Sequence, residues 1–326
     1  MSDAILEIEG LTKRFGTMVA NDGVDLRVRP GEVVGLLGHN GAGKTTLISQ
    51  VVGLLRPDSG SIRVVGVDAV ANAATARRCV ALQSQAQAPL DGMTPGQAIE
   101  IAGQLRGMSR TAARAAVESL ADELDIRDWI KRRALPDGRG ISGGVRRLTS
   151  FAMAAVAPVP LIILDEPTND VDAGRRRRLW NTVRRLADTG AGVLLVTHNI
   201  AEAEHVMDEI VVLDRGRVVA AGSTSRLRGG DGEELRLELS LPPDGEDPSE
   251  SLDPPVTFGR RARTGRRVLL TLAASDAGEA AVWATRLRAA GDIEAYTLAP
   301  MTLEDAYLAA TADVDAALTD GEPAHV

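Results

Sequence analysis

Gly38-His39-Asn40-Gly41-Ala42-Gly43-Lys44-Thr45-Thr46 fits the phosphate-binding pattern G-x-x-x-x-G-K-[ST]. Glycines at these spacings let backbone N–H groups turn inward as an anion nest at a helix N-terminus, where the helix dipole also favours phosphate charge. Lys44 adds a point charge for the β- and γ-phosphates, and Thr45 a hydroxyl for Mg²⁺. Lysine occurs elsewhere only at Lys13 and Lys131, so chance placement of one in the motif is improbable. A second constellation, Leu161-Ile162-Ile163-Leu164-Asp165-Glu166, puts two adjacent carboxylates at the end of an apolar run. Asp165 suits Mg²⁺, directly or through water, and Glu166 suits polarisation of an attacking water. Together the two constellations describe hydrolysis of a nucleoside triphosphate.

Such groups need rigid elements behind them. Val33 to Leu37 reads as a buried parallel strand ahead of the glycine loop, and Thr46-Leu47-Ile48 opens a helix behind it. Leu161 to Leu164 and Val193 to Val196 are short apolar runs of the same kind, each ending at polar residues. Ile5 to Leu11, Val24 to Val28 and Ser61 to Val67 read as further strands, and Ile210 to Leu213 with Val218 to Ala220 as a closing hairpin. Thr94-Pro95-Gly96-Gln97 is a capping-box helix start, helical periodicity runs from Ala112 to Leu124, and Ser142 reads as an N-cap. The nucleotide-binding domain is expected over residues 1–228.

A small α+β domain is expected over residues 229–311. Leu235, Leu237, Leu239 and Leu241 alternate along its first strand; Arg267 to Leu272 and Ile293 to Leu298 give two more, with a helix over Asp276 to Ala290. Residues 242–255 read as an extended acidic loop, Thr302-x-x-Asp305 as the cap of a last helix, and residues 312–326 as a flexible tail.

At 326 residues the chain has room for two domains and a sizeable core. A net charge of −8 argues against a general nucleic-acid or anionic-membrane binder, and no nucleic-acid partner is expected. The arginines at 175–178, 184 and 185 read as a solvated helix face, and those at 260, 261, 263, 266 and 267 as charge compensation for the acidic loop. The single cysteine, Cys79, excludes an intrachain disulfide, suits a reducing compartment and reads as a small buried hydrophobe. No apolar stretch approaches the roughly 20 residues needed to span a bilayer, and no signal-peptide core is visible at the N-terminus, so a soluble chain is expected.

With these motifs in this order, residues from about Ile5 to Leu227 resemble an ATP-binding cassette ATPase. The resemblance implies an α/β fold: a phosphate-loop NTPase core with an antiparallel β-subdomain and a helical subdomain at about residues 90–145. It implies ATP and Mg²⁺ as ligands, held by Gly38, Asn40, Gly41, Gly43, Lys44, Thr45, Thr46 and Asp165, with Phe15 against adenine. Ile141-Ser142-Gly143-Gly144-Val145 resembles the cassette signature, whose Ser142, Gly143 and Gly144 would contact the γ-phosphate held by a second cassette; a homodimer is implied. Gln85 matches the glutamine that reaches Mg²⁺ or the attacking water, with Gln83 and Gln87 as competing choices. His198 matches the histidine that supports Glu166, and Asp172 the aspartate that couples the two sites. Val145 replaces the more usual Gln, a change expected to remove a hydrogen-bonding group near the opposite nucleotide, and Asp170 stands where Ala or Gly is commoner.

The function implied is the ATPase subunit of an exporter, bound at the cytoplasmic face of the membrane through a separate permease. The alternative is a soluble cassette ATPase acting on ribosomes or DNA. Tandem cassettes, large inserted coiled coils or zinc-binding cysteines would mark that class, and none is visible. Met301 to Leu308, Met-Thr-Leu-Glu-Asp-Ala-Tyr-Leu, resembles an ending found in single-cassette ATPases of bacterial drug and lipid exporters.

Overall fold

The computed structural model describes residues 3–88, 90–136, 139–227, 234–243, 245, 247–251, 254–302 and 305. These form two compact units, Met1–Ala221 and Gly222–Val326.

The first unit opens with β1 (Leu6–Phe15), β2 (Met18–Val28), β3 (Val33–Leu37), α1 (Lys44–Val51), β4 (Ser59–Val64) and β5 (Val67–Asp68). It continues through α2 (Ala73–Arg78), β6 (Val80–Gln83), α3 (Pro95–Leu105), α4 (Arg110–Glu123), a 3-10 turn at Arg127–Trp129 and α5 (Gly143–Ala155). Then come β7 (Leu161–Asp165), α6 (Ala173–Asp188), β8 (Gly192–Val196), α7 (Ile200–Ala203), β9 (Glu209–Asp214) and β10 (Arg217–Ser223).

Two sheets share one core. The antiparallel sheet has the order β2-β1-β4-β5, the other β10-β9-β3-β8-β7-β6. In the second, β3 pairs in parallel with β8 and β9, and β7 with β6 and β8. Every residue of β3, β7 and β8 is buried, as central parallel strands covered on both faces require. Leu6, Ile8, Ile62, Val34, Leu36, Leu47, Ile163 and Leu194 belong to one apolar cluster, which fixes the β3 and β7 ends relative to each other. Cys79 packs against that cluster but is only partly buried, short of the fully buried position expected. The β4 strand ends at Val64, not Val67, because Val65 (φ 51°) and Gly66 (φ 73°) turn the chain into β5.

The helices between β6 and β7 carry their start signals in the sequence. Gln97 N donates to Thr94 Oγ1 (3.2 Å) and Thr94 N to Gln97 Oε1 (3.0 Å), closing the capping box ahead of α3 with Pro95 at its first position. Ser109 caps α4, Ser142 caps α5 and Asp172 caps α6 through N–H donors three residues on. Val145 is fully buried, in a cluster with Leu90, Ala98, Ala134 and Ile141. The Val145 side chain is thus part of the core of this chain.

The arginines of α6 are tied into the fold. Arg185 forms a two-pronged pair with Glu123 (2.7 and 2.8 Å), and Arg184 bonds Asp188, Asp208 and the Gly31 carbonyl.

The second unit holds α8 (Thr224–Leu227), β11 (Glu234–Ser240), α9 (Pro248–Ser251), β12 (Arg261–Thr264), β13 (Arg267–Ala273), α10 (Ala277–Ala290) and β14 (Ala295–Pro300). Its antiparallel sheet has the order β12-β13-β11-β14. Leu237, Leu239, Val268 and Leu270 of one sheet face pack against Trp283, Ala284 and Leu287 of α10. The acidic stretch is not wholly extended: it contains α9, and Asp247 is buried against Arg261 (2.7 Å). Among the neighbouring arginines, Arg266 and Arg267 pair instead with Glu294 and Glu238. β12 was not anticipated, because its four residues alternate Arg with Ala and Thr and carry no apolar signal. Thr302 and Asp305 make the expected capping bonds in both directions, and Asp305 also accepts two bonds from Arg236 (3.0 and 3.1 Å). Leu303, Glu304 and the stretch from Ala306 onward, including the expected tail, lie outside the described residues.

Candidate functional site

The glycine loop leaves β3 at Leu37 and enters α1 at Lys44, with Gly43 at the N-cap in a left-handed conformation (φ 106°). Two glycines are demanded by contact. A β-carbon on Gly43 would stand 2.1 Å from the Ala20 carbonyl oxygen, and one on Gly38 would stand 2.4 Å from that of Leu213. Buried Asn21 fixes the loop from β2, donating to the Gly43 carbonyl (3.3 Å) while accepting from Gln50 (2.8 Å). Lys44 Nζ, at the start of α1, donates back to the carbonyls of Gly38 (2.5 Å) and His39 (2.9 Å).

A cavity of about 450 Å³ opens beside this loop. Asn40, Gly41, Gly43, Lys44, Thr45 and Thr46 line one side and Gln85, Asp165 and Glu166 another, so the structure brings together the two constellations read from sequence. Met18, Val19, Ala20 and Arg215 complete the wall. Sequence reasoning missed these four. Arg215 had a signal, since Asp214-Arg215-Gly216-Arg217 is a two-residue hairpin turn with φ 46° and 81° at its centre. Phe15 does not line the cavity; it is 45% exposed and pairs across the β1–β2 hairpin with Met18, which does. His39 was also overlooked: its Nε2 lies 2.7 Å from Asp214 and its Nδ1 2.7 Å from the Asn40 carbonyl, bracing the loop against β9.

Glu166 stands just past β7 with φ 50°, a left-handed conformation that costs a residue with a β-carbon of order 1 kcal/mol or more. Its N–H donates to the Val196 carbonyl (2.8 Å), and its carboxylate accepts from His198 N (3.1 Å), His198 Nδ1 (2.7 Å) and Thr197 Oγ1 (3.3 Å). The end of β8 therefore aims the carboxylate of β7. Burial raises the Asp165 pKa, and the negative Glu166 raises it further, against Lys44, the Gln85 N–H and Arg147. Burial lowers the Lys44 pKa, against the pull of Glu166 and Asp165.

In both shifts the largest cause is burial of the charged form. Phosphate oxygens would relieve Lys44, and a divalent cation would relieve the paired carboxylates. Asp165, Thr45 and Gln85 offer oxygen ligands suited to a hard cation. Among the described residues no group of three or more His, Cys, Asp or Glu could hold a metal by itself.

The three glutamines separate. Gln83 is buried and donates to the Arg147 carbonyl (3.4 Å), Gln85 lines the cavity, and Gln87 points at the start of α5, its Nε2 3.6 Å from where a β-carbon on Gly143 would be. Ser142, Gly143 and Gly144 are not brought to the cavity. Gly143 and Gly144 lie against Asp170, whose carbonyl oxygen would be 2.5 Å from a β-carbon on Gly144. Asp172 is likewise away from the cavity, capping α6 and pairing with Arg175 (3.1 Å). His198 reaches the cavity only through Glu166.

The chain matches the family model described as ABC transporter over residues 21–169. It is 36% identical over 318 residues to the daunorubicin resistance ATP-binding protein DrrA3 of Streptomyces coeruleorubidus, covering 96% of this chain and 98% of that one. It is 39% identical over 235 residues to the daunorubicin/doxorubicin resistance ATP-binding protein DrrA of Streptomyces peucetius, covering 72% and 70%. A solved ATP-binding subunit of an ABC transporter superposes with a TM-score of 0.63 at 28% identity, over 69% of this chain and 92% of that chain. A phosphate loop facing paired carboxylates, on a chain related to such subunits along its length, makes this protein a member of the ATP-binding cassette family: a transporter subunit that binds and hydrolyses ATP.

Proposed function

We propose that two copies of this chain close on two ATP molecules and drive export by a separate membrane permease, with a drug or lipid as cargo. One observation carries the two-copy reading: the cavity holds Lys44, Thr45, Asp165 and Glu166 but none of Ser142, Gly143 and Gly144. The N-terminus of the 13-residue α5, a ready anion site, is left to face a phosphate from another molecule. No helix among the described residues is long and apolar enough to cross a membrane. The relatives named for daunorubicin and doxorubicin resistance support export over work on ribosomes or DNA. An exporter subunit of this kind would sit at the cytoplasmic face of a membrane, where ATP is supplied.

In this reading Lys44 and the loop N–H groups hold the β- and γ-phosphates, with Phe15 at the adenine. Mg²⁺, held through Thr45, Asp165 and Gln85, would neutralise charge developing on the phosphate oxygens. Glu166 accepts a proton from water as the water oxygen bonds the γ-phosphorus; the bond from that phosphorus to the bridging oxygen breaks, releasing ADP and phosphate. His198 holds the Glu166 carboxylate in its acceptor geometry. Asp172, at the cap of α6, would couple the two sites across the pair. The second unit, with its own core, would steady the dimer or its contact with the permease.

The test is affinity capture of tagged Glu166→Gln from detergent-solubilised native membranes in Mg·ATP, with the captured proteins identified by mass spectrometry. A multi-span membrane protein is expected. Ribosomal or DNA-repair proteins, or nothing membrane-bound, would overturn export.

A further inference from the structure

Asp170 lies at the N-terminus of α5. A β-carbon on Gly143, the first residue of that helix, would be 3.5 Å from Asp170 Cβ and 3.5 Å from Asp170 Oδ2. Asp170 has φ 64°, in the left-handed region that Gly, Asn and Asp enter most readily. Of these, only Asp brings a charge. The carbonyl of the same residue approaches Gly144 so closely that no side chain fits there, so the backbone of Asp170 is packed against the helix start. Gln87 Nε2 is 3.6 Å from the same Gly143 position.

We infer that the Asp170 carboxylate is a built-in competitor for the anion that α5 is shaped to receive. It weakens ATP-driven closure of two chains and so tunes how readily the site completes. This rests on the two-copy reading above. The helix N-terminus favours an anion; Asp170 supplies one from the same chain, and a γ-phosphate arriving from the partner meets both the attraction of the helix and the repulsion of the carboxylate. Closure therefore requires either that the carboxylate turn away or that like charges approach in a partly desolvated interface, where their repulsion is several times larger than in water.

Asp170→Asn isolates the charge, because Asn keeps the size and accepts the left-handed backbone. Both it and Asp170→Gly are placed in the full-length Glu166→Gln chain, and ATP-dependent dimerisation is monitored by sedimentation velocity at low and high salt. Dimer dissociation constants at low salt are expected to fall roughly tenfold for either variant, with the gain shrinking as salt screens the interface. A Glu166→Gln parent that never dimerises with ATP would overturn the two-copy reading itself. A parent that dimerises while both variants match it or bind more weakly would overturn the role of Asp170 alone, as would a gain that high salt leaves unchanged.

Discussion

If His198 acts through Glu166, removing both should cost no more than removing Glu166. The carboxylate accepts three hydrogen bonds, two on Oε1 from the His198 backbone and imidazole and one on Oε2 from Thr197. His198→Ala deletes only the 2.7 Å imidazole bond. A hydrogen bond to a charged group is worth about 1.5–3 kcal/mol. Since the His198 side chain is 63% exposed, water replaces part of that, and the lower end applies. At about 1.4 kcal/mol per decade, turnover should fall roughly tenfold, with ATP affinity kept because Lys44 and Thr45 are untouched. Glu166→Gln keeps the shape but not the basicity and should lose about 10² to 10⁴ in turnover. The assay is phosphate release at saturating Mg·ATP for the two single variants and the double variant, with nucleotide binding measured separately. A double variant as slow as Glu166→Gln is expected. One slowed by the product of the two single effects would show independent roles and refute the positioning argument.

Gly43→Ala should abolish nucleotide binding and lower stability by about 1–3 kcal/mol, since its β-carbon meets the Ala20 carbonyl at φ 106°; Gly41→Ala, at φ 89° with no atom within 4 Å, should be milder in thermal melts and binding titrations. Burial pushes the Asp247 carboxyl up, but bonds from Ser249 and Arg261 outweigh it and hold it below the ordinary range. A folded pKa below the unfolded one stabilises above the unfolded value of about 3.9 and ceases to do so as pH falls through the folded value. Urea midpoints of the parent and Asp247→Asn should therefore differ at pH 7 and converge as pH falls below about 4; a gap that persists in acid would contradict this. A chain ending at Leu227 keeps both sheets of the first unit and should still hydrolyse ATP, but should lose co-purification with the permease; unchanged assembly would remove that role from the second unit.

Elements with a strong local signal were legible. The apolar runs of β3, β7 and β8, the capping box at Thr94 and the alternation of Leu237 and Leu239 each state their conformation within a few residues. The residues that fill out the site were not, because their roles depend on contacts far along the chain. Asn21 holds Gly43, Arg215 enters the cavity from the last hairpin, and His39 leans on Asp214, and none of these pairs has a spacing rule. The burial of Val145 was hidden for a related reason: the pattern around the signature shows a helix start, while the partners that enclose the side chain, Leu90 and Ala134, come from elsewhere. β12 was invisible because its pairing with β13 is made by backbone bonds that no side-chain pattern reports.

The segment from Glu166 to Asp170 joins these separate findings. Both ends are left-handed, φ 50° and 64°, and neither is glycine, so the turn between them is over-determined rather than slack. It is closed by bonds from Asn169 N to the Glu166 carbonyl (3.4 Å) and from Val171 N to that of Thr168 (3.1 Å). One end aims a carboxylate into the phosphate cavity, and the other presses against the start of α5. A displacement of Asp170, such as the approach of a second chain would impose, cannot be absorbed by free rotation inside so short and constrained a stretch. On the two-copy reading it would pass to Glu166 or to α6, whose cap at Asp172 lies two residues further on. That continuity gives a physical route by which completing the site at the signature could set the geometry of hydrolysis at the phosphate loop.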